Sequence, residues 1–231
     1  MLGHQRHQIS ASEGSDSEVT VEMLDESWNR LRALPKLPGR YIWAMRREAV
    51  LGCTVVCFLI SLLVGLTQGV ALAPGASTPK FVSIIVMTLI YAEATIAVGC
   101  LFGLMFGDPG EIKRSPDTCF PLPEVVADRI SQGQSLEGLN NLAADGRTYC
   151  VRCLVWRSDN ANVHHCSTCN RCVEAFDHHC GVFGRCIAGD GFGGNMGYFK
   201  TIIGMAMAGC VTAFGSVIAT MADDVHDRRG N

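Results

Sequence analysis

Between residues 150 and 186 the chain carries seven cysteines and four histidines in short, regular spacings. The series runs Cys150-x2-Cys153, then His165-Cys166-x2-Cys169-x2-Cys172, then Asp177-His178-His179-Cys180, then Cys186. Structural zinc takes four Cys or His ligands in a tetrahedron, and paired ligands two residues apart fit the knuckle that wraps the ion. The count is enough for two closed sites with one cysteine left over. Twelve cysteines in all would also suit a disulfide framework, but clustering behind two-residue spacers favours zinc and a reducing compartment. Spacing alone leaves the pairing of the ligands open. A stretch with so little apolar periodicity needs such staples to fold.

The elements that must position this array are apolar. With 231 residues and a mean hydropathy of +0.21, the chain is too apolar for an ordinary soluble domain. A net charge of -3 and the lack of a basic block argue against nucleic acid as a partner. Three windows are long enough to cross about 30 Å of hydrocarbon as helices: 49–73, 81–106 and 201–222. The second is interrupted only by Glu93, and the third is Gly/Ala-rich, which suits close helix–helix contact. Around them the chain divides into a cytosolic N-terminal tail (1–48), acidic and partly disordered, and a cytosolic linker (107–149). A cysteine-rich zinc domain (150–199) and a short lumenal tail (223–231) complete it. The linker holds Pro109, Pro116, Pro121 and Pro123 and one short helix around 124–131.

Arg30, Arg32, Lys36, Arg40, Arg46 and Arg47 precede the first span and Lys113 and Arg114 follow the second, while the loop between carries only Lys80. The positive-inside rule therefore puts the N-terminus and residues 107–197 in the cytosol. Glu93 is a functional candidate by default as an intramembrane acid, the alternative being a side chain hydrogen-bonded within the bundle. Cys53, Cys57, Cys100, Cys119 and Cys210 read as packing residues or lipid-modification sites.

Taken with its flanking spans, the array resembles the cysteine-rich domain of the DHHC family of protein S-acyltransferases (palmitoyltransferases), which are polytopic membrane enzymes. Asp108-Pro109-Gly110 is similar to the DPG motif that this family carries after its second span, and Asn195-x3-Phe199 to its Asn-x3-Phe. The resemblance implies a mostly α-helical polytopic membrane protein, with three transmembrane helices here, and a cytosolic, irregular two-zinc cysteine-rich domain. It pairs Cys150, Cys153, His165 and Cys172 around one zinc ion and Cys166, Cys169, His179 and Cys186 around the other. Cys180 then stays unligated, as a nucleophile with His178 as base and Asp177 orienting the imidazole. Implied besides are acyl-CoA (palmitoyl-CoA) as co-substrate, Arg157 facing its phosphates, and cysteine-containing membrane-associated proteins as acceptors. The activity would be that of a protein-cysteine S-palmitoyltransferase, multi-pass in an endomembrane (ER/Golgi) or the plasma membrane. The alternative is a catalytically inactive, zinc-stabilised membrane adaptor of the same family.

Several positions depart from the family pattern. Gly181, Val182 and Arg185 stand where the family has Pro, Trp and an Asn before the final cysteine. The Gly-rich stretch 189–194 lengthens the gap to Asn195. Neither a fourth span nor the Thr-Thr-x-Glu motif follows the third span, so the sequence is expected to be truncated there.

Overall fold

A computed structural model describes residues 28–72, 79–158 and 162–230; the acidic stretch 10–26 lies outside the described residues. Along the chain come α1 (Ile42–Ala71), α2 (Lys80–Phe106), α3 (Pro116–Cys119) and α4 (Glu124–Ser131). Seven short strands follow: β1 (Leu142–Ala144), β2 (Arg147–Cys150), β3 (Val155–Ser158), β4 (His164–Cys166), β5 (Arg171–Val173), β6 (Phe176–Cys180) and β7 (Arg185–Ala188). The last element is α5 (Met196–Gly230). The contacts divide the chain into two compact units, one of residues 1–38 with 113–158, the other of 39–112 with 159–231.

The larger unit contains α1, α2 and α5, each long and apolar enough to cross a membrane. At 1.5 Å per residue the 30 residues of α1 reach about 45 Å, well beyond the hydrocarbon core. Its first turns, with Arg46, Arg47 and Glu48, therefore overhang the apolar stretch. This helix starts at Ile42 because nothing between Tyr41 and Ala49 breaks it. Pro79 sets the start of α2, and Gly107 ends it ahead of Pro109. Likewise α5 begins at Met196 and runs through the acidic residues after Ala222, so the segment read as a tail is helical in its backbone. Small residues let the helices approach. The Tyr198 ring fills the space a side chain on Gly103 would need, and Leu63 does the same at Gly209. Leu63, Ile90 and Ala213 form the buried knot of the bundle.

Two hairpins, β4–β5 and β6–β7, complete this unit. Their strands are only three to five residues long.

The smaller unit is built on the antiparallel sheet β1-β2-β3. Asp145-Gly146, both at positive φ, close the β1–β2 hairpin, as the right-handed twist of paired strands requires. Residues read as a linker are part of this fold. Val126 of α4 is fully buried with Tyr149, Val151 and Leu154, and Leu122, Ile130 and Leu136 pack around them. Ser115 caps α3 reciprocally with Thr118, with Pro116 at the first helical position.

Candidate active site and metal centres

Strand alternation decides what each residue of the tetrad faces. Successive side chains on a strand point to opposite sides. In β6, His179 pairs with Cys186 of β7 and turns to one face, while His178 and Cys180 turn to the other. On the first face His179 Nδ1 lies 3.5 Å from Cys166 Sγ, 3.4 Å from Cys169 Sγ and 3.9 Å from Cys186 Sγ. Cys186 and Cys169 are 3.5 Å apart, and Cys169 N–H points at Cys166 Sγ. A tetrahedral zinc with Zn–S of about 2.3 Å and Zn–N of about 2.0 Å has ligand edges of roughly 3.5–3.8 Å. The donor set and its size therefore fit that ion. Hydrogen bonds from Cys169, then Cys186, hold the Cys166 thiol far below its usual range. That same contact pushes Cys169 up to about 11, and Cys186 is raised as well, chiefly by Cys166.

The other nitrogen of the ligand histidine is also engaged. His179 Nε2 meets Glu48 Oε2 at 3.3 Å, so the overhanging turn of α1 fixes the ring from behind. This carboxylate–histidine arrangement orients a ligand and raises its basicity. Sequence reading missed Glu48.

Cys150 and Cys153 of the smaller unit and His165 and Cys172 of the larger are the other ligand set that the family resemblance pairs. Cys150 and Cys153 bracket a tight knuckle, with Leu154 N–H donating to Cys150 O at 2.7 Å and Arg114 Nε to Cys153 O at 2.8 Å. His165 stands opposite Cys172 across β4–β5. The DPG turn braces this hairpin. Asp108 Oδ1 accepts from Gly110 N–H and Glu111 N–H, both at 3.0 Å, and the chain then pairs with β5 through Glu174 N–H to Gly110 O and Ile112 N–H to Cys172 O. Glu111 also binds Arg40 at 2.6 Å and Arg171 at 3.1 Å. The motif thus ties the end of α2 to a ligand strand.

On the other face of β6, Cys180 is 7% exposed and belongs to an apolar cluster with Leu101, Leu104, Phe183, Ile187 and Ile202. Asp177 Oδ2 meets His178 Nδ1 at 2.7 Å, which leaves Nε2 as the free ring nitrogen. An irregularity in the β6–β7 register between Phe176 and His178 lets these neighbours share a side. Phe199 packs edge-on against both His178 and Phe183, with centroids 5.6 and 6.3 Å apart.

Asn195 is fully buried; its Oδ1 accepts from Ala188 N–H at 2.9 Å and its Nδ2 donates to Cys186 O at 2.7 Å. The Asn-x3-Phe pair thereby clamps β7 with one side chain and supports His178 with the other. The long glycine stretch permits this. Gly189 is at φ +80°, and a Cβ there would sit 2.8 Å from Gly194 Cα, so the insertion doubles back on itself to deliver Asn195.

Arg185, which departs from the family pattern, donates to the carbonyls of Met105 and Gly107 at the C-terminal end of α2. Gly184, at φ +64°, passes against the Met45 carbonyl where no side chain fits. Arg157 sits on β3 opposite Thr148, its Nε buried without a hydrogen-bond partner. Below the turn after Cys180, an almost wholly apolar cavity of about 260 Å³ runs between α1, α2 and α5. Val182 and Phe183 line it at the Gly52 level and Leu63, Val64 and Glu93 deeper in.

Residues 143–230 match the family model described as DHHC palmitoyltransferase. This part of the chain is similar to a DHHC palmitoyltransferase domain. A curated relative, Palmitoyltransferase PFA3 of Debaryomyces hansenii, is 59% identical over 29 residues, which cover 13% of this chain and 7% of that protein. The DHHC domain so matched takes in both candidate metal groups, the tetrad and α5.

Proposed function

We propose that the protein is an S-acyltransferase that moves a long-chain acyl group, palmitoyl above all, from acyl-CoA through Cys180 to cysteine thiols of membrane-associated proteins. One observation carries the reading. Of the seven cysteines between 150 and 186, Cys180 alone falls outside both metal groups, and it stands beside a paired Asp177–His178. A free thiol is mostly protonated at neutral pH, so a base is needed. His178 Nε2 takes the Cys180 proton while Asp177 holds Nδ1 and stabilises the imidazolium. The Cys180 sulfur adds to the thioester carbonyl, the carbon–sulfur bond to CoA breaks, and the CoA thiolate leaves with the proton from His178. An acceptor cysteine thiol then repeats the exchange, regenerating Cys180.

Zinc in both groups, held by Cys150, Cys153, His165 and Cys172 and by Cys166, Cys169, His179 and Cys186, supplies cross-links rather than chemistry. Those ligands keep the β6–β7 hairpin in register, so Cys180 faces the helices. The acyl chain occupies the cavity between α1, α2 and α5, and Arg157 faces the CoA phosphates. The zinc domain is assigned to the cytosolic side of an endomembrane or the plasma membrane by the Lys/Arg bias of its flanks.

Gly181 and Val182, in place of the Pro-Trp pair, favour one other reading, an inactive zinc-stabilised adaptor. Self-acylation separates the two. Purified, zinc-loaded protein is incubated with an alkynyl palmitoyl-CoA analogue and compared with Cys180→Ser. A hydroxylamine-labile label that the variant lacks supports the enzyme; absence of label on folded wild type leaves the adaptor.

A further inference from the structure

The cavity below Cys180 has one polar feature. Glu93, in the middle of α2, lines it deep in the bundle. Thr212 Oγ1 of α5 donates to Glu93 Oε1 at 2.9 Å, but Oε2 is buried without a hydrogen-bond partner. A buried polar atom left unpaired is costly, and hydrocarbon offers it no water. An acid kept there without a second partner marks a place for a ligand group.

The depth of that place can be read from α1. Gly52 lies against Val182 and Phe183, in the turn that follows Cys180, while Leu63 and Glu93 Oε2 both lie close to Gly209. Eleven residues separate Gly52 from Leu63, so Glu93 is about 16 Å below the turn. Carbon–carbon bonds of about 1.5 Å advance slightly less than that per carbon along a zigzag chain. The carboxyl therefore meets an extended acyl chain about twelve carbons in.

The rest of the lining restricts the ligand. A mostly hydrocarbon occupant with a single polar group fits, whereas a cation or a second polar group would be desolvated without compensation. Among neutral groups a hydroxyl both donates and accepts, so it pairs with Oε2 in either protonation state of the acid.

We infer that the deep cavity is selective for acyl chains carrying a hydroxyl in their distal half, which Glu93 Oε2 binds. This rests on the acyl-transfer reading above, and the test separates the two. Wild type is offered an equal mixture of stearoyl-CoA and 12-hydroxystearoyl-CoA, and the adducts on Cys180 are quantified by mass spectrometry. The hydroxylated chain is expected in about tenfold excess. In Glu93→Leu the ratio falls to one or below, whereas Glu93→Gln, which still hydrogen-bonds, keeps a preference. Glu93→Met replaces the leucine variant if that fails to fold. Equal loading by wild type, or a ratio unmoved in Glu93→Leu, overturns the inference.

A second measurement needs no transfer. Free 12-hydroxystearic acid should raise the melting midpoint of wild type in detergent more than stearic acid does, and this difference should vanish in Glu93→Leu. Absence of any adduct together with that difference would remove the transferase and leave the cavity's selectivity standing. Equal shifts would remove the selectivity.

Discussion

Glu48 reaches His179 across 131 residues of sequence, and this one contact joins a membrane helix to a candidate metal ligand. Glu48→Ala should lower the zinc affinity of the Cys166–Cys169–His179–Cys186 group about 10–100-fold, measured by competition with a chromogenic chelator, with Glu48→Gln losing less. Asn195 is the other residue whose role is structural and local. Its replacement by Ala strands the Ala188 N–H and the Cys186 carbonyl in a fully buried place. The expected loss is about 2–3 kcal/mol, seen as a lower melting midpoint in detergent. The candidate ligands were legible in the sequence, because a zinc knuckle is written in two-residue spacers. Glu48 was not. A carboxylate at the head of an apolar helix carries no local signal of a partner so far along the chain.

At the scale of elements, the β6–β7 hairpin is held from two sides, by α1 and by the end of α2. Gly184→Ala would place a methyl against the Met45 carbonyl at a φ that only glycine adopts freely. We expect more than about 1 kcal/mol of destabilisation and a matching fall in Cys180 labelling. Arg185→Met leaves the Met105 and Gly107 carbonyls without their donor, and should cost about 1.5–3 kcal/mol by the same melting assay. From the family pattern Arg185 read as a departure; its contacts make it a helix cap. The three long helices were plain in the sequence, because apolar runs of that length, broken at most by Glu93, are hard to bury in anything but a bilayer. Their ends were less so, since charged residues such as Arg46 and Arg47 extend a helix as readily as they bound a span. The short strands left no trace, because three to five residues hardly display an alternation.

Over the whole molecule, zinc in the two groups is expected to reinforce the small apolar clusters that the hairpins build. Purified protein should carry two zinc ions per chain by elemental analysis. Stripping them with a strong chelator should expose the amides of residues 164–188 to rapid hydrogen exchange while those of α1, α2 and α5 in detergent stay protected. The self-acylation label should disappear with the metal and return on zinc addition. The region read as a linker contains the short helix expected over 124–131, packed more closely than its prolines suggest. Four prolines suggest a connector, yet α4, which follows the last of them, has an apolar face that buries Val126.

The step from Glu48 to Gly52 on α1 is a little over one helical turn, and each end is occupied, Glu48 by His179 and Gly52 by the Val182 carbonyl and the Phe183 ring. Ala49, Val50 and Leu51 between them can change identity at modest cost. Their number cannot change. Inserting or deleting one residue rotates one anchor about 100° away from the other, so the spacing between the two anchors is fixed by the contacts at its ends.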